Sequence, residues 1–594
     1  MTRKLVVLSI AFVATILTGR AAAQTAPEGN AHPQPEMVAA ESDALNHPFG
    51  EGEAPPRTVE QLRDFASGLE LDPLRDLAVF NAGRVKILDT LARETVGAIC
   101  GRDSYVDFVA TGEEEPEKVA FDPLFTLIDL AVNPGSYVGR PFVHVNFLPL
   151  REEYLGLAFP DDPEKQERWK KLTRVAPSDA AQASAFLSDR HGGDPAYLQA
   201  IRETEAALEL FAFGGTNFLL VPPERKDLPW AHISQLPESA PSRQAAIRLG
   251  DAWRAHDAPG VNAAAVELRE ALLASNPAVY PTTSRTIEAL YNRAEPFGWG
   301  YWIYCLSLVS LLLAFGTGRR WLIALGVGSL VAAVALHGFG FVLRCIIAER
   351  FAIQNQFESM TGLSLFAAIV GLALMVVRRQ WLFGAAAAAT GFLALIVATE
   401  SGIPGAQVGR EAAILNTSVL LKYHVTTVLV SYGLITLGFV VSLFYLGVHY
   451  FGARDEQAVA LAAGALGETA PRPFGAEGGD LAGGGPKIGR AKLLADLDTA
   501  QMTVLQLAFW TLGVGILLGA WWADHSWGRW WAFDPKETWA LITWIVYLIA
   551  IHVRFGTGID RRLATAWLSV VGFGVMLFTY FAVNLVLPGL HAYA

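Results

Sequence analysis

Cysteine, charge and metal-binding motifs are all scarce in this chain of 594 residues. Three cysteines (Cys100, Cys305 and Cys345) are too few and too scattered for a disulfide scaffold, a zinc ribbon or a CxxC redox centre. CxxCH does not occur, so the chain is not itself a c-type cytochrome. Only 17% of residues are charged, against about 25% in ordinary soluble proteins, so a large part of the chain must sit in lipid. The 46 Lys and Arg face 57 Asp and Glu, for a net charge of −11. No basic excess exists to neutralise phosphates, which argues against a nucleic-acid partner.

What is present divides into a polar part and an apolar part. Arg3 and Lys4 precede the apolar run Leu5 to Leu17, and Arg20-Ala21-Ala22-Ala23 offers small residues for cleavage, so residues 1–23 read as an export signal. An uncleaved anchor is the alternative. Residues 24–57 are rich in Pro, Ala, Gly and acid, the composition of a flexible linker. Residues 58–296 have no apolar run long enough to span a bilayer, nor a Gly-rich phosphate loop, an HExxH or a nucleophile elbow. Leu-rich stretches at Val59–Leu71, Arg84–Val96, Tyr197–Phe213 and Ala263–Ala274 predict a mainly helical extracytoplasmic domain.

Residues 297–594 predict a polytopic helical membrane bundle, so the fold class is all-α. Apolar runs near 297–316, 322–343, 360–377, 381–398, 426–448, 502–522, 538–553 and 564–587 suit about eight transmembrane helices. Arg319, Arg320, Arg378, Arg379, Arg454, Lys487, Arg490, Lys492, Arg554, Arg561 and Arg562 fall on alternate loops. The positive-inside rule places those loops in the cytoplasm and leaves the soluble domain outside, as the export signal requires. The stretch 453–489 is then a flexible cytoplasmic loop, rich in Gly and Ala. A multi-pass protein of the bacterial inner membrane follows, with its functional loops on the periplasmic face.

Half of the 16 tryptophans fall between Trp510 and Trp544, five of them within Trp521–Trp531. An interfacial belt spreads its rings over many helix ends, whereas these crowd one predicted outer loop, WWADHSWGRWWAFDPKETW, as a ligand platform would. Gly528 lets backbone approach closely there. Asp534-Pro535-Lys536-Glu537 reads as a helix start, with Asp at the N-cap, Pro at the first helical position and Glu three residues on. Topology puts His424 and His591 on the same outer face. Two imidazoles bracketing a flat aromatic surface suit a planar ligand with a central metal: imidazole is an axial haem ligand, and indoles stack on a porphyrin. His552 lies near the inner end of the seventh span and suggests an inner haem site, His449 being a speculative companion. His337, inside the second span, suits a helix–helix hydrogen bond as well as a ligand role, and His525 is an alternative ligand within the tryptophan loop.

WGRWWAFDPKETWALITW followed by IHVR resembles the tryptophan-rich WWD signature of the CcsA/ResC haem-handling proteins of cytochrome c biogenesis (system II). LRCIIAERFAIQNQFES (343–359), YHV around His424 and the terminal GLHAYA fit the same family. GRVKILDTLARE (83–94) is similar to a segment of extracytoplasmic domains attached to some members. The resemblance covers residues 297–594 and, more loosely, the early soluble domain. It implies His424 and His591 as external axial haem ligands and His552 as the histidine within the membrane. It implies Trp522, Trp527, Gly528, Trp531, Asp534, Glu537 and Trp539 as haem-binding residues, with Pro535 within the motif. Phe533 departs from the pattern, standing where a tryptophan is usual, so an aromatic ring is kept but the indole N–H is lost. The implied activity is that of a cytochrome c haem lyase component, which transports haem b and attaches it to the CxxCH of apocytochrome c. Its implied partners are a CcsB/ResB-type membrane subunit, the apocytochrome and a thiol-reducing thioredoxin-like protein. A haem exporter without ligation activity, or a solute transporter or receptor with an external sensor domain, are the alternatives.

Overall fold

A computed structural model describes residues 45–52, 54–55, 57–109, 117–403, 405–410, 419–451, 490–556, 560–583 and 587. The export signal, most of the linker, the 453–489 loop and His591 lie outside them. The described residues form two compact units, one ending at Ala294 and the other beginning at Glu295.

The first unit is mostly helical, with three two-stranded antiparallel sheets among its described residues. These pair β1 (Ala78–Asn81) with β2 (Arg84–Ile87), β3 (Tyr105–Val109) with β4 (Glu117–Phe121), and β5 (Val143–His144) with β6 (Arg174–Val175). The helix expected over Arg84–Val96 therefore starts late: Arg84–Ile87 is strand, and the helix runs Leu88–Cys100. The reason is turn chemistry. Ala82 and Gly83 both adopt positive φ, 50° and 78°, the two-residue turn whose twist matches an antiparallel hairpin. The other predicted helices stand as Val59–Ser67, Pro195–Phe213 and Ala258–Ser275. Trp253, Phe125, Tyr137 and Phe142 fill the core. Asp129, fully buried, accepts from Arg57 Nη1 (3.0 Å), Trp253 Nε1 (2.8 Å) and Tyr137 Oη (2.7 Å).

Among the described residues, eight helices are long and apolar enough to cross a membrane. Those of the second unit are α1 (Pro296–Thr317), α2 (Arg320–Ile347), α3 (Gln356–Arg378), α4 (Trp381–Glu400), α5 (Val419–Phe451), α6 (Arg490–Trp527), α7 (Pro535–His552) and α8 (Arg561–Leu577). At 1.5 Å per residue, the 22 residues of α1 reach about 33 Å, enough for the hydrocarbon core. Small residues bring the helices together where lipid offers no hydrophobic drive: Ala385 to Ala388 of α4 are completely buried. The helices alternate in direction. Phe297 of α1 packs on Phe357 of α3 and on His337 of α2, so α1 begins at the end of the bundle where α3 begins. The tryptophan segment is more helical than a loop: α6 carries Trp521, Trp522, His525 and Trp527, and only residues 528–534 connect it to α7. Gly528, with φ +69°, ends α6 in the left-handed region that glycine tolerates.

Candidate functional site

At the end of the bundle where α3, α5 and α7 begin, a cavity of about 280 Å³ is lined by His424, Trp522, Trp531, Lys536 and Glu537, among others. Four of the predicted site residues therefore line one cavity. Leu421, Val425, Val428, Leu429, Ile516 and Ala540 make most of the remainder apolar.

His424 is set by a glycine pair on the neighbouring helix. A Cβ at Gly515 would lie 2.8 Å from Val428 Cγ2, and one at Gly519 would lie 2.5 Å from His424 Cε1. Glycine at both positions lets α5 and α6 close up. The imidazole then lies over Gly519, with Nδ1 2.8 Å from the Gly515 carbonyl oxygen. A carbonyl only accepts, so Nδ1 carries the proton and the neutral ring's lone pair is on Nε2. A histidine that ligates a metal is commonly oriented through such a bond on its other nitrogen.

The start of α7 builds the facing wall. Asp534, only 6% exposed, caps the helix through the Lys536 N–H (3.2 Å), and Glu537 Oε2 accepts from Asp534 N (3.3 Å) and Ala532 N (2.8 Å). The capping box expected from the sequence is present. It also holds the 528–534 connection, and Trp531 on it, against the bundle. Trp527 packs edge-on against buried Trp522, with centroids 4.9 Å apart, and Trp539 lies against Phe578 at 4.4 Å. Neither Trp527 nor Trp539 lines the cavity itself. Phe533 does not join it: the ring is 79% exposed and the backbone takes φ +55°, an uncommon conformation for a residue with a bulky side chain.

The remaining histidines separate. His552 is at the opposite end of the bundle on α7, exposed, with Nδ1 2.8 Å from the Leu548 carbonyl of its own helix. His449 stacks on Tyr445 and meets Tyr450 edge-on. His337, fully buried, bonds the Thr361 carbonyl (3.0 Å) and the Tyr304 hydroxyl (3.3 Å), the helix–helix role that its sequence position allowed. His525 bonds the Trp521 carbonyl one turn back and does not line the cavity.

The 343–359 segment supplies features that its residues did not announce. Arg344 and Glu358 are both completely buried and paired at 3.2 Å, and Arg350 closes on the same carboxylate at 2.6 Å. The other guanidinium nitrogens of Arg344 donate to the carbonyls of Gly405 (2.6 Å), Ala406 (2.7 Å) and Gln407 (3.3 Å). Two arginines and two glutamates beside an apolar helix were the available signal. The same cluster fixes the start of α3, where Gln354 N donates to Glu358 (3.0 Å), and Gln354, Gln356 and Ser359 line the cavity beside Tyr580.

At the far end Asp498 binds Arg554 and, at 3.4 Å, Arg562, close to the arginine-rich connections that the sequence marked. Among the described residues no group of three or more His, Cys, Asp or Glu is arranged to hold a metal ion.

A family model described as "Cytochrome C assembly protein" matches residues 298–591. "Cytochrome c biogenesis protein CcsA" of Gloeobacter violaceus is 31% identical over 320 residues, 49% of this chain and 90% of that protein. The CcsA of Trieres chinensis is 28% identical over 311 residues, 52% of this chain and 98% of that protein. "Protein NrfI" of Wolinella succinogenes is 26% identical over 545 residues, 86% of this chain and 53% of that protein, so its likeness extends into the first unit. With its cavity residues inside the matched region and eight helices able to span a bilayer, the chain is a multi-pass membrane protein that belongs to the CcsA family of cytochrome c biogenesis proteins.

Proposed function

We propose that the cavity beside His424 presents haem b to apocytochrome c, and that the chain acts as the haem lyase component of a complex with a CcsB/ResB-type subunit. The observation that carries this reading is the oriented imidazole: the Gly515 carbonyl holds Nδ1 and so fixes the ring at a cavity that Trp522 and Trp531 also line. The indoles suit a porphyrin face, and the apolar wall suits its ring. Pockets that enclose a whole drug-sized ligand measure about 300–1,000 Å³. A cavity of about 280 Å³ would grip part of a macrocycle and leave an edge in reach of a second protein.

His591 is the proposed ligand on the other side of the iron. It lies outside the described residues, eleven positions after Tyr580, which lines the cavity with Thr579. The arginine-rich connections fall at the end opposite the cavity, so the positive-inside rule supports a periplasmic cavity. His552, exposed at that other end, suits an inner haem site completed by a histidine of the partner subunit.

Ligation adds each thiol S–H of the CxxCH across a vinyl C=C: sulfur joins the inner vinyl carbon and hydrogen the outer one, with no oxidant required. A thiol-reducing thioredoxin-like protein would keep those cysteines reduced. The chain's contribution is to hold and orient, which can supply about 7–11 kcal/mol of a barrier. The test is the optical spectrum of the purified full-length chain. Low-spin haem should be present and should be lost or weakened in His424→Ala and in His591→Ala. An unchanged spectrum in the double variant would remove the assignment, and haem binding without thioether formation on an apocytochrome peptide would favour export alone.

A further inference from the structure

The cavity has a corner of unused hydrogen-bonding capacity. Gln356 opens α3, is only 6% exposed and lines the cavity, yet its Nε2 has no hydrogen-bond partner among the described residues. Leaving a buried donor unmade costs about 1–3 kcal/mol, so such a group calls for a partner, whether a water, an ion or a ligand. Its backbone is firmly set, the carbonyl accepting from the hydroxyls of Ser359 (2.9 Å) and Tyr580 (3.3 Å). Beside it Gln354 Oε1 is likewise buried and unpartnered, and a half-turn of that amide would present N–H instead.

The surroundings favour an anion. Asn355 caps α3 by accepting from Glu358 N (2.8 Å), and the first N–H groups of a helix have no acceptor within it and carry partial positive charge. The Lys536 side chain lines the same cavity. The nearby carboxylates are already engaged: Glu358 with Arg344 and Arg350, Glu537 with two N–H groups of the 528–534 connection.

We infer that Gln356, with Gln354 and the start of α3, binds the carboxylate edge of the tetrapyrrole held at His424, and so turns the opposite, vinyl-bearing edge away from the bundle. The inference rests on the function proposed above and gives that site an orientation. Gln356 is a positioning residue: its amide donates to a carboxylate oxygen, and no bond is made or broken there.

The test compares haem with haem dimethyl ester, which keeps ring, iron and vinyls but has no carboxylate charge. Both are titrated optically into the purified full-length chain. The wild type should prefer haem, and Gln356→Leu should reduce that preference about tenfold, as loss of a hydrogen bond to a charged group would. Gln356→Glu, which keeps the shape but repels a carboxylate, should reduce it further. Unchanged affinity for the diester in each variant shows that the cavity is intact. An unchanged preference in both variants, with His424-dependent spectra still present, overturns the inference and leaves the haem site standing. Absence of a His424-dependent spectrum with either porphyrin in the wild type overturns both. Should the variants instead weaken only a CxxCH peptide, Gln356 reads the apocytochrome and the inference fails.

Discussion

Each of the two units buries a carboxylate completely, and what surrounds it differs. Asp129 in the first unit collects its donors from Arg57, Trp253 and Tyr137, side chains drawn from distant parts of one core. Glu358 in the bundle collects Arg344 and Arg350, and Arg344 spends its remaining donors on the carbonyls of residues 405–407. A buried ion pair adds little net stability over apolar packing, while breaking one by removing a partner costs about 3–5 kcal/mol. Such groups are therefore informative about what they hold in place. Asp129 holds a fold together. Glu358 and its arginines hold residues 405–407 and the first turn of α3, which lines the cavity.

The largest expected effect is Asp129→Ala, which strands the buried Arg57 charge. A loss of about 3–5 kcal/mol is a large share of a domain's total of about 5–15. Hydrogen exchange on the full-length chain should show protection lost across the first unit while the bundle helices keep theirs. Loss in both units together would mean that the two do not fold independently.

Arg344→Ala should cost less, near the lower end of the same range at about 3 kcal/mol, because Arg350 still pairs with Glu358. Its signature should be local. Residues 405–410 and the start of α3 should lose protection, and His424-dependent haem binding should weaken with protein abundance maintained. General loss of protection across all eight helices would erase the contrast and make this cluster another fold-holding network.

Gly519→Ala acts on the ligand itself. The added methyl would lie 2.5 Å from His424 Cε1, so the ring must shift and its 2.8 Å bond to Gly515 O is strained or broken. Overpacking of this kind costs about 1–3 kcal/mol. The expected result is a folded protein whose low-spin haem signal is weakened or altered, and Gly519→Ser should repeat it. A normal spectrum in both would show that the imidazole has room to spare and that its orientation does not depend on α6.

How far the sequence reached follows from the kind of signal each feature leaves. Eight apolar runs with arginines on alternate connections are periodic and long-range, and the bundle was legible from them. The Asp534–Glu537 cap was legible because it is local: four residues carry the whole motif. The long reach of α6 to Trp527 was missed because polar Asp524, His525 and Ser526 break hydropathy without breaking helix. The β1–β2 hairpin was missed because Ala-Gly is a quiet turn signal. Gln356, Ser359 and Tyr580 were illegible as cavity residues for a different reason. Only packing brings α3 and the π-helical turn after α8 (Phe578–Ala582) together, and nothing in either stretch names the other. Phe533, which the family resemblance implies as a haem-binding residue, is exposed and in a positive-φ conformation that its sequence neighbours do not announce.

The smallest effect separates pH sensitivity in the first unit from its ion pairs. Burial lowers the pKa of both His144 and His232. His232 is 1% exposed, donates from Nε2 to the Gly215 carbonyl (2.9 Å), and accepts at Nδ1 from Ser234 N (3.2 Å) and its hydroxyl (2.7 Å). Protonating Nδ1 would turn that acceptor into a second donor facing a donor. The unfolded chain, with histidine near its ordinary value of about 6.5, therefore takes up protons before the folded one does. Between the lowered folded pKa and about 6.5 the unfolded state binds more protons, so stability falls as pH drops through that window and is flat above it. Each unit by which a pKa is lowered sets a ceiling of about 1.4 kcal/mol per histidine. Hydrogen exchange around residues 215–235 should begin to accelerate just below pH 6.5, and His232→Gln should make the profile shallower. An identical onset in that variant and in His144→Gln would show that neither imidazole sets the acid response of the first unit.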